Sequence, residues 1–325
     1  MAGYKFGNKA NFGENTTLSG SFQYVLGSGN SNSADYTAVG GLSNTAVSTA
    51  EESLVWGSGS QVSGSNNLVV GGSHVIENAC DFNIVGGTSC SGTGGGFDGN
   101  LMCGGNLKST NRYNLTVGTN NINDTDFNGL GGHIVGGKAN TLSGSNYGLM
   151  IGSGNTGPLD FHNGIQLGQE GVVQDNKYGA ISTSAGKFAA VGDAQLTTHL
   201  VYRGQTTNNT ATVIYNQANS AAKWLLAAND SVIVKATVIG RKAGDAGQSA
   251  AYEVIAAFKN QGGTSTIGTT GVTKRVLNED TGTTNYDATL AVNNTDDTFE
   301  LKVTGDTGHN VNWMAHVEVM KLNVA

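Results

Sequence analysis

Val62-Ser-Gly-Ser-Asn-Asn-Leu-Val-Val-Gly-Gly-Ser73 holds the pattern that decides how this chain folds. A short apolar strand, Leu68-Val-Val70, ends on Gly71; a second small residue follows, and a Val-Ser-Gly-Ser turn precedes it. The strand-Gly unit recurs as Tyr24-Val-Leu-Gly27, Thr37-Ala-Val-Gly40, Leu54-Val-Trp-Gly57, Asn83-Ile-Val-Gly86, Leu101-Met-Cys-Gly104, Leu115-Thr-Val-Gly118, His133-Ile-Val-Gly136, Leu149-Met-Ile-Gly152 and Ile165-Gln-Leu-Gly168. Steps between these glycines run from 13 to 18 residues and average about 15.7. Leu18-Ser-Gly-Ser21 and Leu142-Ser-Gly-Ser145 repeat the turn, and Gly27-Ser-Gly-Asn30 and Gly152-Ser-Gly-Asn155 show the small residues and Asn that follow the glycine.

A period near 15 is too short for a helix pair or a propeller blade and suits one coil of a β-solenoid with two short strands and two turns. The turn glycines Gly27, Gly40, Gly57, Gly71, Gly86, Gly104, Gly118, Gly136, Gly152 and Gly168 are expected at corners where φ is positive or backbones approach closely. Pro158 is the only proline, as a ladder that uses nearly every N–H requires. Ten such strands make a ladder roughly 43 Å long. Coils this thin bury little, so the reading implies an obligate homo-oligomer that covers an apolar strand face along the whole ladder.

Composition agrees with two parts. Of the 50 glycines, 39 lie in residues 1–192 and 11 in residues 193–325. Both parts are mildly acidic, with a net charge of -7 overall, so neither carries the basic footprint of a nucleic-acid partner. No stretch reaches the roughly 20 apolar residues of a membrane span, and the first residues lack the apolar run of an export signal. Cys80, Cys90 and Cys103 have no metal or redox spacing and read as reduced thiols.

From His199 onward the texture changes to alternating strands around Val201, Val213–Tyr215, Trp224–Leu226, Ser231–Ile239, Ala250–Phe258, Val272–Leu277, Ala288–Val292, Phe299–Val303 and Val311–Leu322. Nine strands between Gly/Asn/Asp turns, with no helical period, read as an antiparallel β-sandwich. The expected fold is therefore all-β: a parallel β-roll shaft over 1–170, with 1–17 left for attachment to a particle, a linker or neck over 171–197, and a jelly-roll-like cap over 198–325.

The strand-Gly units with their Ser-Gly-Ser partners, clearest at 62–73 and 142–155, resemble the YadA-like head repeat of trimeric autotransporter adhesins, a left-handed parallel β-roll. Similar rolls occur in phage tail fibres. Phe188-Ala-Ala-Val-Gly-Asp-Ala-Gln195, Val201-Tyr-Arg-Gly-Gln-Thr-Thr207 and Asn312-Trp-Met-Ala-His-Val-Glu318 are similar to the C-terminal region of many phage tail fibres and tailspikes, whose caps are β-rich and trimeric. The resemblance implies a homotrimeric virion fibre made in a host cytoplasm, with other virion proteins and a host-surface receptor as partners. A structural decoration protein is the first alternative. A bacterial adhesin, expected to show an export signal, stalk and membrane anchor, and a glycan-degrading tailspike are the others.

The residues offer little chemistry. Glu51-Glu52, Asp124-Thr-Asp126 and Asp296-Asp297 are carboxylate pairs of the kind glycosidases use, but in Gly/Asn-rich turns they read as solvated turn residues. Asp124-Thr-Asp126 also lacks the spacing of a calcium loop. His74, His133, His162, His199, His309 and His316 form no HxH or HxxxH pair. No catalytic residue, metal or cofactor is assigned. For receptor binding the polar loops 241–248 and 278–286 stand out, through Arg241, Lys242, Asp245, Glu279, Asp280 and Tyr286, with plain hairpin turns as the simpler reading of each.

Overall fold

The computed structural model describes residues 9–78, 80–93, 98–110, 112–124, 133–143, 147–157, 163–172, 179–216, 223–244 and 248–323. The chain divides into two compact units, Met1–Leu159 and Asp160–Ala325.

The first unit is a parallel β-solenoid. Long strands Lys9–Glu14, Gln23–Ser28, Ala38–Leu42, Leu54–Ser58, Leu68–Gly72, Ile84–Thr88, Leu101–Gly105, Leu115–Thr119, Ile134–Lys138 and Leu149–Ser153 stack in sequence order into one parallel sheet. Short strands such as Ser31–Asn32, Gln61–Val62 and Thr141–Ser143 stack into a second parallel sheet. The ladder begins one coil earlier than the strand-Gly pattern predicts. Lys9–Glu14 pairs in register with Gln23–Ser28, and Thr17–Leu18 with Ser31–Asn32, which places residues 9–17, expected for attachment to a particle, within the stack.

The register also corrects three corner glycines. Gly13, Gly27, Gly41, Gly57, Gly71, Gly87, Gly104, Gly118, Gly137 and Gly152 form the column, so Gly41, Gly87 and Gly137 hold the corner and their neighbours Gly40, Gly86 and Gly136 lie in the strand. The reason is steric. Gly57, at φ +140°, would place a Cβ 1.7 Å from the carbonyl oxygen of Gly71 on the next coil.

Around the column glycines the register is constant. A polar or small residue lies four before them (Asn67, Asn83, Asn100, Asn114), and another three after most of them (Asn30, Asn44, Ser60, His74), with Leu107 after Gly104 as the exception. Among the described residues, variation in length falls between the short strand and the next long one: five residues separate Ser31–Asn32 from Ala38–Leu42, and seven separate Thr45–Ala46 from Leu54–Ser58. Irregular spacing in the sequence therefore reflects one variable corner on an otherwise fixed coil.

Inside, each coil contributes one residue from the middle of the long strand, such as Val25, Val39, Val55, Val69, Val85, Met102, Val135 or Met150, and one from the short strand, such as Ala46, Val62, Ile76 or Leu142. The two polar columns are buried with them and run as hydrogen-bond ladders. In one, the N–H of Asn83 donates to Asn67 Oδ1, that of Asn100 to Asn83 Oδ1 and that of Asn114 to Asn100 Oδ1, at 2.7–2.9 Å. In the other, Asn44 N–H donates to Asn30 Oδ1, Ser60 N–H to Asn44 Oδ1 and His74 N–H to Ser60 Oγ, at 2.9–3.2 Å. These side chains satisfy the corner N–H groups that neither sheet can reach.

In the second unit, Ala194–Thr206, Val311–Asn323, Asp230–Lys242, Ser249–Asn260 and Ser265–Glu279 form an antiparallel sheet in that spatial order. A smaller sheet has Thr298–Thr304 at its centre, with Asp287–Asn293 along one edge and Thr212–Ile214 and Trp224–Leu225 along the other. All nine expected strands are present. Trp224, Phe299, Phe258, Tyr252, Trp313 and the alternate valines of Asp230–Lys242 and Val311–Asn323 fill the core between the sheets. Within the segment expected as a neck, Ile181–Ala185 pairs in parallel with Ile165–Gln169 and antiparallel with the start of Ala194–Thr206. Asp193 closes the turn between them by accepting the N–H groups of Phe188, Ala189 and Ala190.

Candidate docking surfaces

Alternation along a β-strand gives each sheet of the solenoid an inner and an outer face. On the long strands, the residues flanking the buried one point outward. One column reads Tyr24, Ala38, Leu54, Leu68, Ile84, Leu101, Leu115, Ile134, Leu149, and the other Leu26, Gly40, Trp56, Val70, Gly86, Cys103, Val117, Gly136, Ile151. Most are exposed, including Trp56 at 43%, Val70 at 44% and Ile84 at 49%. The short-strand sheet presents a more polar chemistry, with Thr17, Ser31, Thr45, Gln61, Ser91, Lys108, Thr141 and Thr156 at the outward position, interrupted by Val75 and Ile122. One face of the coil is thus continuously apolar and the other largely hydroxylated. Apolar exposure on a monomer is normally scattered, and a stripe along nine coils marks an interaction face.

In the cap the two expected loops come together at one end of the large sheet. Asp280 accepts the backbone N–H and the hydroxyl of Ser249, both at 2.8 Å, and Lys242 N–H donates to Gln248 O. The hydroxyl of Ser249, then Asn278 and the Ser249 N–H, hold the Asp280 carboxyl below its ordinary range. Arg241 and Glu279 are exposed, and Lys242 and Asp280 are half-buried. Glu279 accepts the Tyr252 hydroxyl at 2.8 Å, and burial, reinforced by that bond, pushes the Tyr252 phenol far above its usual range. Tyr286 does not serve as an exposed platform: it is buried, its ring 5.7 Å from that of Trp313 and its hydroxyl 3.1 Å from His309 Nδ1. Its place in the strand pattern, one residue before Asp287–Asn293, carries that signal. Asp245 lies outside the described residues.

The carboxylate pairs are occupied structurally or are simply exposed. Asp296 pairs with Lys223, Asp297 accepts the Ser265 hydroxyl at 2.8 Å, and Glu51 and Glu52 are solvated. Asp124 ends the strand Ile122–Asp124, and Asp126 is outside the described residues. Cys80 and Cys90 are buried free thiols and Cys103 is an exposed one. His74 and His133 are buried ladder members, and His162 is outside the described residues. Among the described residues no cluster of His, Cys, Asp and Glu has the geometry of a metal site.

What the residue reading missed is the role of asparagine. Asn, Ser or His recurs at a fixed offset from most column glycines, and this would have shown the ladders once Gly41, Gly87 and Gly137 were taken as the column.

No family model matches the chain, and no curated protein does. Among solved structures, a tailspike protein, gp49, of Acinetobacter baumannii bacteriophage Fri1, described as a capsular polysaccharide depolymerase, is 10% identical. The alignment covers 96% of this chain and 69% of that one at a TM-score of 0.25. The Acinetobacter baumannii phage AM24 tailspike is 10% identical over 92% and 73% of the two chains, at a TM-score of 0.22. The Acinetobacter phage vB_ApiP_P1 tailspike is 10% identical over 98% and 80%, at 0.17. Likenesses this small carry no argument about fold or activity.

Proposed function

We propose that the chain is a homotrimeric fibre or appendage of a phage particle, a β-solenoid shaft with a β-sandwich cap, that attaches to a host-surface glycan or protein. The observation that supports it is the apolar outer face of the long strands. A cytosol-made monomer with nine coils of exposed Leu, Ile, Val and Trp would aggregate, whereas three copies joined along those faces bury them and leave the Ser/Thr sheet and the cap loops in water. The overall resemblance of the repeats and of the cap to phage fibres gives the same direction. Attachment without bond cleavage is the reading, with a glycan-degrading tailspike as the alternative that a polysaccharide digestion assay decides.

Light scattering of the purified protein is expected to give a single species of about three chain masses. Free protein is expected to compete with virions for adsorption to host cells, and cap-directed antibody to label the particle. A monomeric mass ends the trimer. Labelling without competition makes the chain a decoration protein, and loss of polysaccharide on incubation makes it a depolymerase.

A further inference from the structure

Each coil turns through a left-handed residue just before its long strand. The described positions are Phe22, Tyr36, Glu52, Asn66, Phe82, Gly99, Tyr113 and Tyr147, with φ between 51° and 68°. Such a corner suits Gly or Asn, and an aromatic side chain there costs stability. The other left-handed corner of the same coil follows that expectation, with Asn15, Gly29, Ser43, Gly59, Ser73 and Asn106 among its residues and no aromatic at any described position. The five aromatics are not buried in return for the strain: they are 49% (Phe22), 60% (Tyr36), 67% (Phe82), 66% (Tyr113) and 54% (Tyr147) exposed. Strain together with exposed apolar area, repeated on one edge and absent from its twin, points to something outside the chain.

The chemistry of that edge narrows the occupant. Phe22 and Tyr36, on successive coils, stack at 4.9 Å with an interplanar angle of 8°, whereas Phe82 and Tyr113 follow Asn66 and Gly99 at the corner and stack on no ring among the described residues. Carboxylates stand beside the rings: Asp35 precedes Tyr36 and accepts Ser21 N–H at 2.6 Å, and Asp81 precedes Phe82 and accepts Ser65 N–H at 2.6 Å. Aromatic faces take the C–H faces of sugar rings, and carboxylates fixed by backbone bonds take hydroxyls or amino groups. The same carboxylates, on a chain of net charge -7, repel polyanions.

We propose that this aromatic corner of the shaft binds an extended neutral or amino-sugar-containing saccharide chain running along the coils. The proposal rests on the host-attachment reading and moves the glycan contact from the cap loops to the shaft.

The test uses the full chain with Tyr36→Asn, Phe82→Asn and Tyr113→Asn combined. Asn is at home in the left-handed region, so the variant is expected to melt at or above the wild-type temperature with unchanged mass. The probe is a printed panel of purified bacterial surface polysaccharides, with heparin as a polyanion. Wild-type binding to neutral or amino-sugar polymers that weakens about tenfold or more in the variant supports the proposal. Equal binding by the variant overturns it while attachment stands, as does wild-type protein that blocks adsorption yet binds no polysaccharide. Binding of heparin alone overturns it. A variant of lower mass places the rings between chains and overturns it too. Wild-type protein that neither binds nor competes removes the attachment reading as well.

Discussion

The indole of Trp56 lies against Gly40 on the preceding coil, so closely that a Cβ at Gly40 would stand 2.3 Å from the ring. Gly40 therefore leaves space for a side chain on the apolar outer face and is not a corner residue. Buried Trp anchors dominate interfaces. Trp56→Ala is expected to shift trimer dissociation to about tenfold or higher protein concentration, read by light scattering on dilution, with the far-UV spectrum unchanged. Gly40→Ala should act the same way more weakly, by lifting the ring. An unchanged dissociation curve for both would detach this face from assembly.

Gly86 and Gly87 are adjacent in sequence and opposite in tolerance. Gly87 sits at φ +116° and a Cβ there would stand 1.8 Å from Gly104 O. At Gly86 the nearest atoms would be Cys103 Sγ and Val70 O at 3.9 Å. Gly87→Ala is expected to cost about 3 kcal/mol or more, and Gly86→Ala to lie within about 1 kcal/mol of wild type, in chemical denaturation. The reversed order would mean that the register is wrong.

His74 supplies a pH dependence. Its Nδ1 accepts Cys90 N–H at 3.2 Å and its Nε2 donates to Val70 O at 3.1 Å, which requires the neutral ring. Burial lowers its pKa below the ordinary 6.5, against the smaller opposing pull of the Val70 carbonyl. The folded state then binds fewer protons than the unfolded one, so the stability His74 contributes is complete above about pH 6.5 and falls as pH drops through that value toward the folded pKa. His74→Asn, which keeps a ladder acceptor, should flatten this dependence. Melting temperatures of the two proteins at pH 7.5 and 5 test it, and equal losses on acidification would exclude His74 as the cause.

The solenoid was legible because its signal is a repeat: Leu-Val-Val-Gly and its copies specify strand, corner and period at once. The nine cap strands were legible from period-two alternation. The corner glycines were read one residue early at Gly40, Gly86 and Gly136, since a Gly-Gly pair does not reveal which member faces the next coil's carbonyl; only the register does. The first coil was missed because Asn11-Phe-Gly13 offers one apolar residue before its glycine. Tyr286 was taken for a loop residue because polar neighbours surround it in sequence, while its burial depends on Trp313 and His309, brought there by other strands. The aromatic corner was invisible for a similar reason: Phe22, Tyr36 and Phe82 fall at unequal spacings, and only stacking of the coils aligns them.

Thr116 and Asn123 test how far the shaft tolerates polarity. Both lie at the inward positions of one coil, Thr116 on the long strand, where neighbouring coils place Val or Met, and Asn123 on the short one, where Val62, Ile76 and Leu142 stand on some coils and Asn32 and Ser109 on others. Both are fully buried, and among the described residues Thr116 Oγ1 and both polar atoms of the Asn123 side chain have no hydrogen-bond partner. A buried polar group without a partner costs about 1–3 kcal/mol, and an apolar group of the same shape removes that cost. Thr116→Val, nearly isosteric, is therefore expected to raise unfolding free energy by about 1 kcal/mol. Thr116→Val with Asn123→Leu should gain more than the single change, because the two positions belong to the same coil and the second orphan is removed. Denaturant midpoints at constant slope measure both. A loss of stability in Thr116→Val would show that its hydroxyl is hydrogen-bonded inside the coil.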